Sequence, residues 1–208
     1  MAKKKKLFDR IAPVYGMFFN IQKKNFAFAP DMMVENGIYP PMQILDVGCG
    51  TGALLSVLSE SGYKTTGVDM AKEMLKVAKW KTRHLDIRYI HLSGKASLPF
   101  NDHAFDAVIS SHVLHGMKRE DRIALYKEMK RVARRKVIIH DYNKNRSLPT
   151  TIIEYLEKGD YFEFIKVAED EMKEVFGDVN ITHVAERAAW YVMDVEGPRI
   201  IADQDASK

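Results

Sequence analysis

A short apolar run, Ile44-Leu45-Asp46-Val47, leads straight into Gly48-Cys49-Gly50-Thr51-Gly52, and an apolar stretch with helical spacing begins at Ala53. Three alternating glycines between a strand and a helix let the backbone turn tightly and come close to a ligand. They also aim the unpaired amides of a helix N-terminus at that ligand. Gly48-x-Gly50-x-x-Ala53 satisfies the dinucleotide-binding pattern as well. A strand–loop–helix unit of this kind belongs in an open parallel sheet, and the chain after it keeps the same rhythm.

Further strands are expected at Thr65–Val68, Ile87–Leu92, Phe105–Ser110 and Lys136–His140, with helices at 53–60, 71–81 and 119–134. The inner stripes of the last two would be Ala71, Met74, Leu75 and Ala78, then Leu125, Met129, Val132 and Ala133. Apolar β runs separated by helical patterns imply a parallel sheet covered on both faces. The C-terminal part departs from this rhythm: a helix over 161–176 precedes strands at Val179–Val184 and Ala188–Val195. Ala185-Glu186-Arg187 is too short for a crossover, so those two strands pair antiparallel. The fold class is α/β: a doubly wound sheet, mostly parallel, ending in an antiparallel hairpin. One domain is expected, in three parts. Residues 1–36, rich in aromatics (Phe8, Tyr15, Phe18, Phe19, Phe26, Phe28) and broken at Pro13 and Pro30, form one or two helices that act as a lid. Residues 42–142 are the ligand-binding core, and 143–208 supply substrate-side helices, with Tyr155, Tyr161, Phe162 and Phe164, and the hairpin.

Composition excludes other classes. A single cysteine, Cys49, cannot build a disulfide framework or a cysteine-rich zinc site. No apolar run reaches the ~18 residues of a membrane span, and Asp9 and Arg10 interrupt any signal-like stretch behind Lys3–Lys6. A soluble, cytoplasmic protein is expected. The net charge of +4 is carried by that lysine run, so nucleic acid is permitted as a partner but not indicated.

Two acids narrow the ligand. Asp69 ends the second strand, 21 residues after Gly48, where a carboxylate can accept both hydroxyls of a ribose. Asp46 sits in the loop mouth, where it would repel a pyrophosphate and favour a ligand with a cationic amino or sulfonium group. An adenosine ribose with a positive amino-acid tail describes S-adenosylmethionine better than NAD.

Ile44 to Gly52 resembles the first motif of the class I S-adenosylmethionine-dependent methyltransferases, whose architecture is Rossmann-like. Gly67-Val68-Asp69-Met70-Ala71-Lys72-Glu73-Met74-Leu75 resembles their second motif, and Leu98-Pro99-Phe100 with Phe105–Ser110 resembles the approach through their fourth strand. Phe8-Asp9-Arg10-Ile11-Ala12-Pro13-Val14-Tyr15 is similar to the N-terminal motif of the branch that includes the ubiquinone and menaquinone C-methyltransferases. The likeness covers about residues 7–140. It implies S-adenosylmethionine as cofactor and S-adenosylhomocysteine as product. It also implies that Asp69 holds the ribose, that Gly48, Cys49 and Gly50 lie against the methionine part, and that Asp46 helps hold its amino group. Met70 would pack on adenine, Tyr15 would close the methionine end, and Ser110 and Ser111 would lie beneath the cofactor. One position departs: the family usually has Gly-Asp-Ala after the third strand, and this chain has Gly94-Lys95-Ala96. Lysine only donates, so either the Ala96 backbone carries adenine recognition alone or cofactor affinity is reduced.

His112 and His115 fall beyond the fourth strand, and His140, Asp141 and Tyr142 beyond the fifth, at the edge where open sheets place ligands. His115 or His112 is the expected general base, if the acceptor carries a proton that must leave. No spacing of Cys, His, Asp or Glu reads as a metal site. Ser110-Ser111-His112-Val113 is unlike the Asn/Asp-Pro-Pro-Tyr/Phe of adenine-N6 DNA methyltransferases. Transfer of a methyl group to a small, hydrophobic or aromatic acceptor is therefore expected. The alternatives are a methyltransferase of RNA or protein, and a protein that binds S-adenosylmethionine without turnover.

Overall fold

The computed structural model describes residues 2–94, 97–143 and 161–195, with side chains from Asp9 onward. Seven strands form one sheet: β1 (Gln43–Val47), β2 (Lys64–Asp69), β3 (Ile87–His91), β4 (Phe105–Ser111), β5 (Ala133–Tyr142), β6 (Asn180–Ala185) and β7 (Ala188–Asp194). Their order is β3-β2-β1-β4-β5-β7-β6. The first five pair in parallel, whereas β7 runs antiparallel between β5 and β6. The order reverses at β1 and β4, the switch point where such sheets open a ligand crevice.

Period-2 alternation sorts the strands' side chains onto two faces. Leu45, Val47, Val108, Val137, Ile139, Tyr191 and Met193 pack on one side with α6 (Arg119–Val132) and α7 (Tyr161–Phe176). Ile44, Ala107, Ile109, Ile138, Trp190 and Val192 pack on the other with α3 (Ala29–Glu35) and α4 (Ala53–Glu60). By the same alternation Asp46 and His140 fall on the second face, and Asp141 on the first. α5 (Lys72–Lys81) buries the expected Met74, Leu75 and Ala78.

Several elements differ from the sequence-based expectation. The N-terminal segment forms three helices, α1 (Ala2–Met17), α2 (Phe19–Asn25) and α3, not one or two. Pro13 lies inside α1, and Pro30 sits in the first turn of α3, where its missing amide costs nothing. Only part of this segment has the character of a lid. Ala29, Met32 and Met33 of α3 are buried in the sheet's second core, whereas Met17 is 79% exposed. α6 ends at Val132, because Ala133 turns extended and pairs with Phe105. Its buried stripe is Arg122, Tyr126, Met129 and Val132, with Leu125 only partly covered. The buried arginine is tolerated because Nε and Nη2 each meet the Glu171 carboxylate at 2.7 Å and Nη1 donates to the Met117 carbonyl. Among the described residues, no helix is long and apolar enough to cross a membrane.

Candidate active site

The loop after β1 is fixed by β2. The Gly48 and Cys49 amides both donate to the Val68 carbonyl, at 2.8 and 3.1 Å. Gly48 has φ +81°, and a methyl group placed on it would lie 2.4 Å from Val113 Cγ2, so no other residue fits there. Gly50 has φ +52°, and a methyl group built on it would meet nothing within 4 Å. The loop therefore offers bare backbone toward open space at Gly50. The Cys49 side chain turns away from that space and packs with Leu55 and Leu75, so only its backbone can line the ligand.

Asp69, at the end of β2, stitches the loop together. One carboxylate oxygen accepts the Gly50 amide at 2.9 Å and the other accepts the Ala71 amide at 2.7 Å. Burial pushes its pKa up, and these amides oppose the shift. Asp46 has no such help. It is 2% exposed, its Oδ1 has no partner, and burial, with Asp69 nearby, pushes its pKa up to about 8. A buried carboxyl with an unpartnered oxygen, beside a backbone cradle, fits a ligand that brings its own positive charge. Met70 reaches toward the turn after β3, with its Cε 4.0 Å from the position of a Gly94 Cβ. Lys95 and Ala96 lie outside the described residues, as do 144–160 with Tyr155.

Ser110, Ser111 and Tyr15, also expected at the cofactor, have the following surroundings. The Ser110 hydroxyl is spent on the Val47 carbonyl at 2.8 Å, where it ties β4 to β1. The Ser111 hydroxyl pairs with His140 Nδ1 at 3.0 Å. Tyr15 stands on α1, 41% exposed. From the same segment Gln22 meets the loop, with Thr51 Oγ1 donating to its Oε1 at 2.6 Å. Nothing in the spacing of α2 had marked Gln22.

Beyond β4 the chain turns through His112, whose φ of +54° is uncommon for a residue with a side chain. A 3₁₀ turn, Leu114–Gly116, follows and carries His115. Asp141, fully buried at the end of β5, accepts the Leu114 and His115 amides on Oδ2 at 3.0 and 3.3 Å. Its Oδ1 lies 2.7 Å from His115 Nδ1 and 3.9 Å from His112 Nδ1. Burial alone would raise the Asp141 pKa, but His115 and then His112 outweigh it and bring it to about 2. Asp141 thus joins the two expected histidines as a third member. The sequence-based expectation of no metal-binding set also changes, since ligand atoms of His112, His115 and Asp141 lie within 4.8 Å of one another. Rings continue from this cluster in both directions. His112 contacts His140 and Tyr142 at centroid distances of 4.7 and 5.4 Å, and Tyr142 contacts Tyr161 at 5.0 Å. Phe26 and Phe28 meet His140 edge-on from the other side. His140 is held neutral, its pKa lowered to about 3 by burial and by His112.

Residues 45–139 match the family model described as a methyltransferase domain. Those residues form a methyltransferase domain. Its fold is shared with the PH0226 protein from Pyrococcus horikoshii OT3 (TM-score 0.66, 20% identity, 82% of this chain and 89% of that one). It is shared too with magnesium protoporphyrin IX methyltransferase from Synechocystis PCC 6803 with bound S-adenosylhomocysteine (TM-score 0.61, 17% identity, 83% and 82%). Among curated proteins, the chain is 33% identical over 166 residues to 2-phytyl-1,4-beta-naphthoquinone methyltransferase, chloroplastic, of Arabidopsis thaliana, covering 71% of this chain and 60% of that one. Demethylmenaquinone methyltransferase of Staphylococcus aureus (strain MRSA252) is 32% identical over 133 residues, 61% and 54% of the two chains. The chain thus spans 54 to 60% of the length of these two relatives. A class I methyltransferase domain takes S-adenosylmethionine, and the cationic, ribose-bearing ligand argued from Asp46 and Asp69 is of that chemistry.

Proposed function

We propose that this chain transfers a methyl group from S-adenosylmethionine to a small aromatic acceptor bearing an oxygen substituent, of the quinol type. The observation that carries this is the contact between the two halves of the site. Gly48 of the glycine loop abuts Val113, the neighbour of His112, so the cofactor cradle and the ring-lined wall share one boundary. Bound at the loop, the cofactor supplies a methyl group already activated on a sulfonium. The protein's task is then to position the acceptor, where orientation is worth up to ~7–11 kcal/mol. In this assignment Asp69 and the Gly48–Gly50 backbone hold the cofactor, and Asp46 becomes ionised against its amino group. Met70 borders the adenine. His112, His140 and Tyr142 give the acceptor's ring flat surfaces to pack against. His115, braced by Asp141, meets the acceptor's oxygen and activates it. α1 and α2, with Tyr15 and Gln22, close over the cofactor. The curated relatives named for quinones support the acceptor class, and the concentration of rings favours a small molecule over RNA or protein.

The test is incubation with methyl-labelled S-adenosylmethionine and a panel of reduced naphthoquinols, benzoquinols and simple phenols, read by mass spectrometry. Labelled product from at least one ring-bearing acceptor is expected. Label transferred only to RNA or protein, with every ring compound inert, would overturn the acceptor class.

A further inference from the structure

We propose that His112, His115 and Asp141 form a binding site for a divalent transition-metal ion, which takes the acceptor's oxygen as a further ligand. Two imidazoles and one carboxylate on one side of an ion leave the opposite positions open to substrate. Three features of the site fit that use.

First, both His112 and His115 direct Nδ1 at the same oxygen, Asp141 Oδ1, from 3.9 and 2.7 Å. Ligand atoms at ~2.0–2.2 Å from an ion stand roughly 3 Å or somewhat more from each other, so the set closes with small side-chain rotations. Second, Asp141 is held as a ligating carboxylate should be. Its Oδ2 is fixed by the Leu114 and His115 amides, and its Oδ1, steadied by the Tyr142 amide at 2.9 Å, faces both histidines. Third, His112 is at 3.9 Å from Oδ1, too far for a hydrogen bond, although its backbone takes an unfavourable φ of +54° at that very place. An ion between the three groups gives that geometry a purpose. His112 is 40% exposed and His115 only 15%, so the open positions face outward, toward the ring-lined wall. The ion would hold an acceptor with an ionisable hydroxyl, such as a phenol or quinol, and the activation of that oxygen assigned above to His115 alone would be made through the ion it ligates. The proposal rests on the methyltransferase reading only for the nature of that acceptor.

Chelator-dialysed protein should be titrated with Zn²⁺ by calorimetry and with Co²⁺ by visible absorption. One equivalent of each is expected, with a Co²⁺ spectrum showing nitrogen ligands. His112→Asn should weaken Zn²⁺ binding by at least about tenfold, and His115→Ala should abolish stoichiometric binding. Asparagine tolerates the backbone conformation at 112, so the first variant stays informative even if Asp141→Asn fails to fold. His84→Ala, on the exposed surface, should change nothing. Absence of saturable binding, or binding unaltered by His112→Asn and His115→Ala, would overturn the site. S-adenosylhomocysteine titrated into the metal-free protein separates the two readings: its binding there, with no Zn²⁺ bound at any concentration, refutes the metal site and leaves the methyltransferase assignment intact.

Discussion

Replacing Asp46 by asparagine should make the ligand-free protein more stable and the cofactor bind worse. The reason lies in the burial of a carboxyl whose Oδ1 has no partner. Its pKa stands at about 8 in the folded chain, against an ordinary value of 3.8. Between those two values the native state keeps a proton that the unfolded state has released. Stability therefore falls as pH rises through that window, by ~1.4 kcal/mol per unit, and is unaffected by this group below about pH 4. At pH 7 the accumulated cost is on the order of 4 kcal/mol. Asparagine removes it but leaves a buried amide without a full set of partners, a cost of roughly 1–3 kcal/mol. The net gain should be ~1–3 kcal/mol at pH 7, shrinking or reversing at pH 4.5. Urea denaturation of wild type and variant between pH 4.5 and 8 measures this. In the presence of saturating S-adenosylhomocysteine the order should reverse, because a cationic amino group compensates the carboxylate and not the amide. Parallel pH profiles for the two proteins would refute the argument, as would undiminished cofactor affinity in the variant.

Gly48→Ala should lose cofactor binding and destabilise the fold, since the added methyl collides with Val113 at 2.4 Å and φ is +81°; calorimetry and thermal unfolding check it, and Val113→Ala in the same chain should restore only part of the stability. Asp69→Ala should weaken S-adenosylhomocysteine by about tenfold to a hundredfold, from lost ribose hydrogen bonds and a loop freed at Gly50, as measured by calorimetry. Arg122→Met should cost roughly 3 kcal/mol by leaving the buried Glu171 with only the distant Arg119 Nε, at 3.8 Å, as a charge partner. The double variant with Glu171→Leu should recover most of that in chemical denaturation, and failure to recover would mean that the Met117 contact matters more than the ion pair.

Strand and helix positions were legible because each is written locally. β1, β2, β3 and β4 begin and end within about two residues of their apolar runs, and the three-residue link at 185–187 sufficed to set the antiparallel end of the sheet. The glycine loop and Asp69 were legible for the same reason: turn, strand end and helix start adjoin in sequence. What depends on distant partners was not. Asp141 meets His115 across 26 residues, from a neighbouring strand, and no spacing pattern encodes that meeting. Arg122 was not among the inner positions expected for α6, because its partner Glu171 lies 49 residues later. The bond from the Ser110 hydroxyl to the Val47 carbonyl joins residues 63 apart in sequence, which no local pattern announces. In α3, the methionines were read with the lid because their partners, Ile44 and Trp190, belong to strands far along the chain.

The most direct measurement is calorimetric titration of the full chain with S-adenosylhomocysteine and, separately, with NAD. A site with a buried Asp46 whose Oδ1 lacks a partner, a bare Gly50 and Asp69 proposed to hold the ribose predicts saturable one-to-one binding of S-adenosylhomocysteine and none of NAD. Tight binding of NAD with no response to S-adenosylhomocysteine would contradict it.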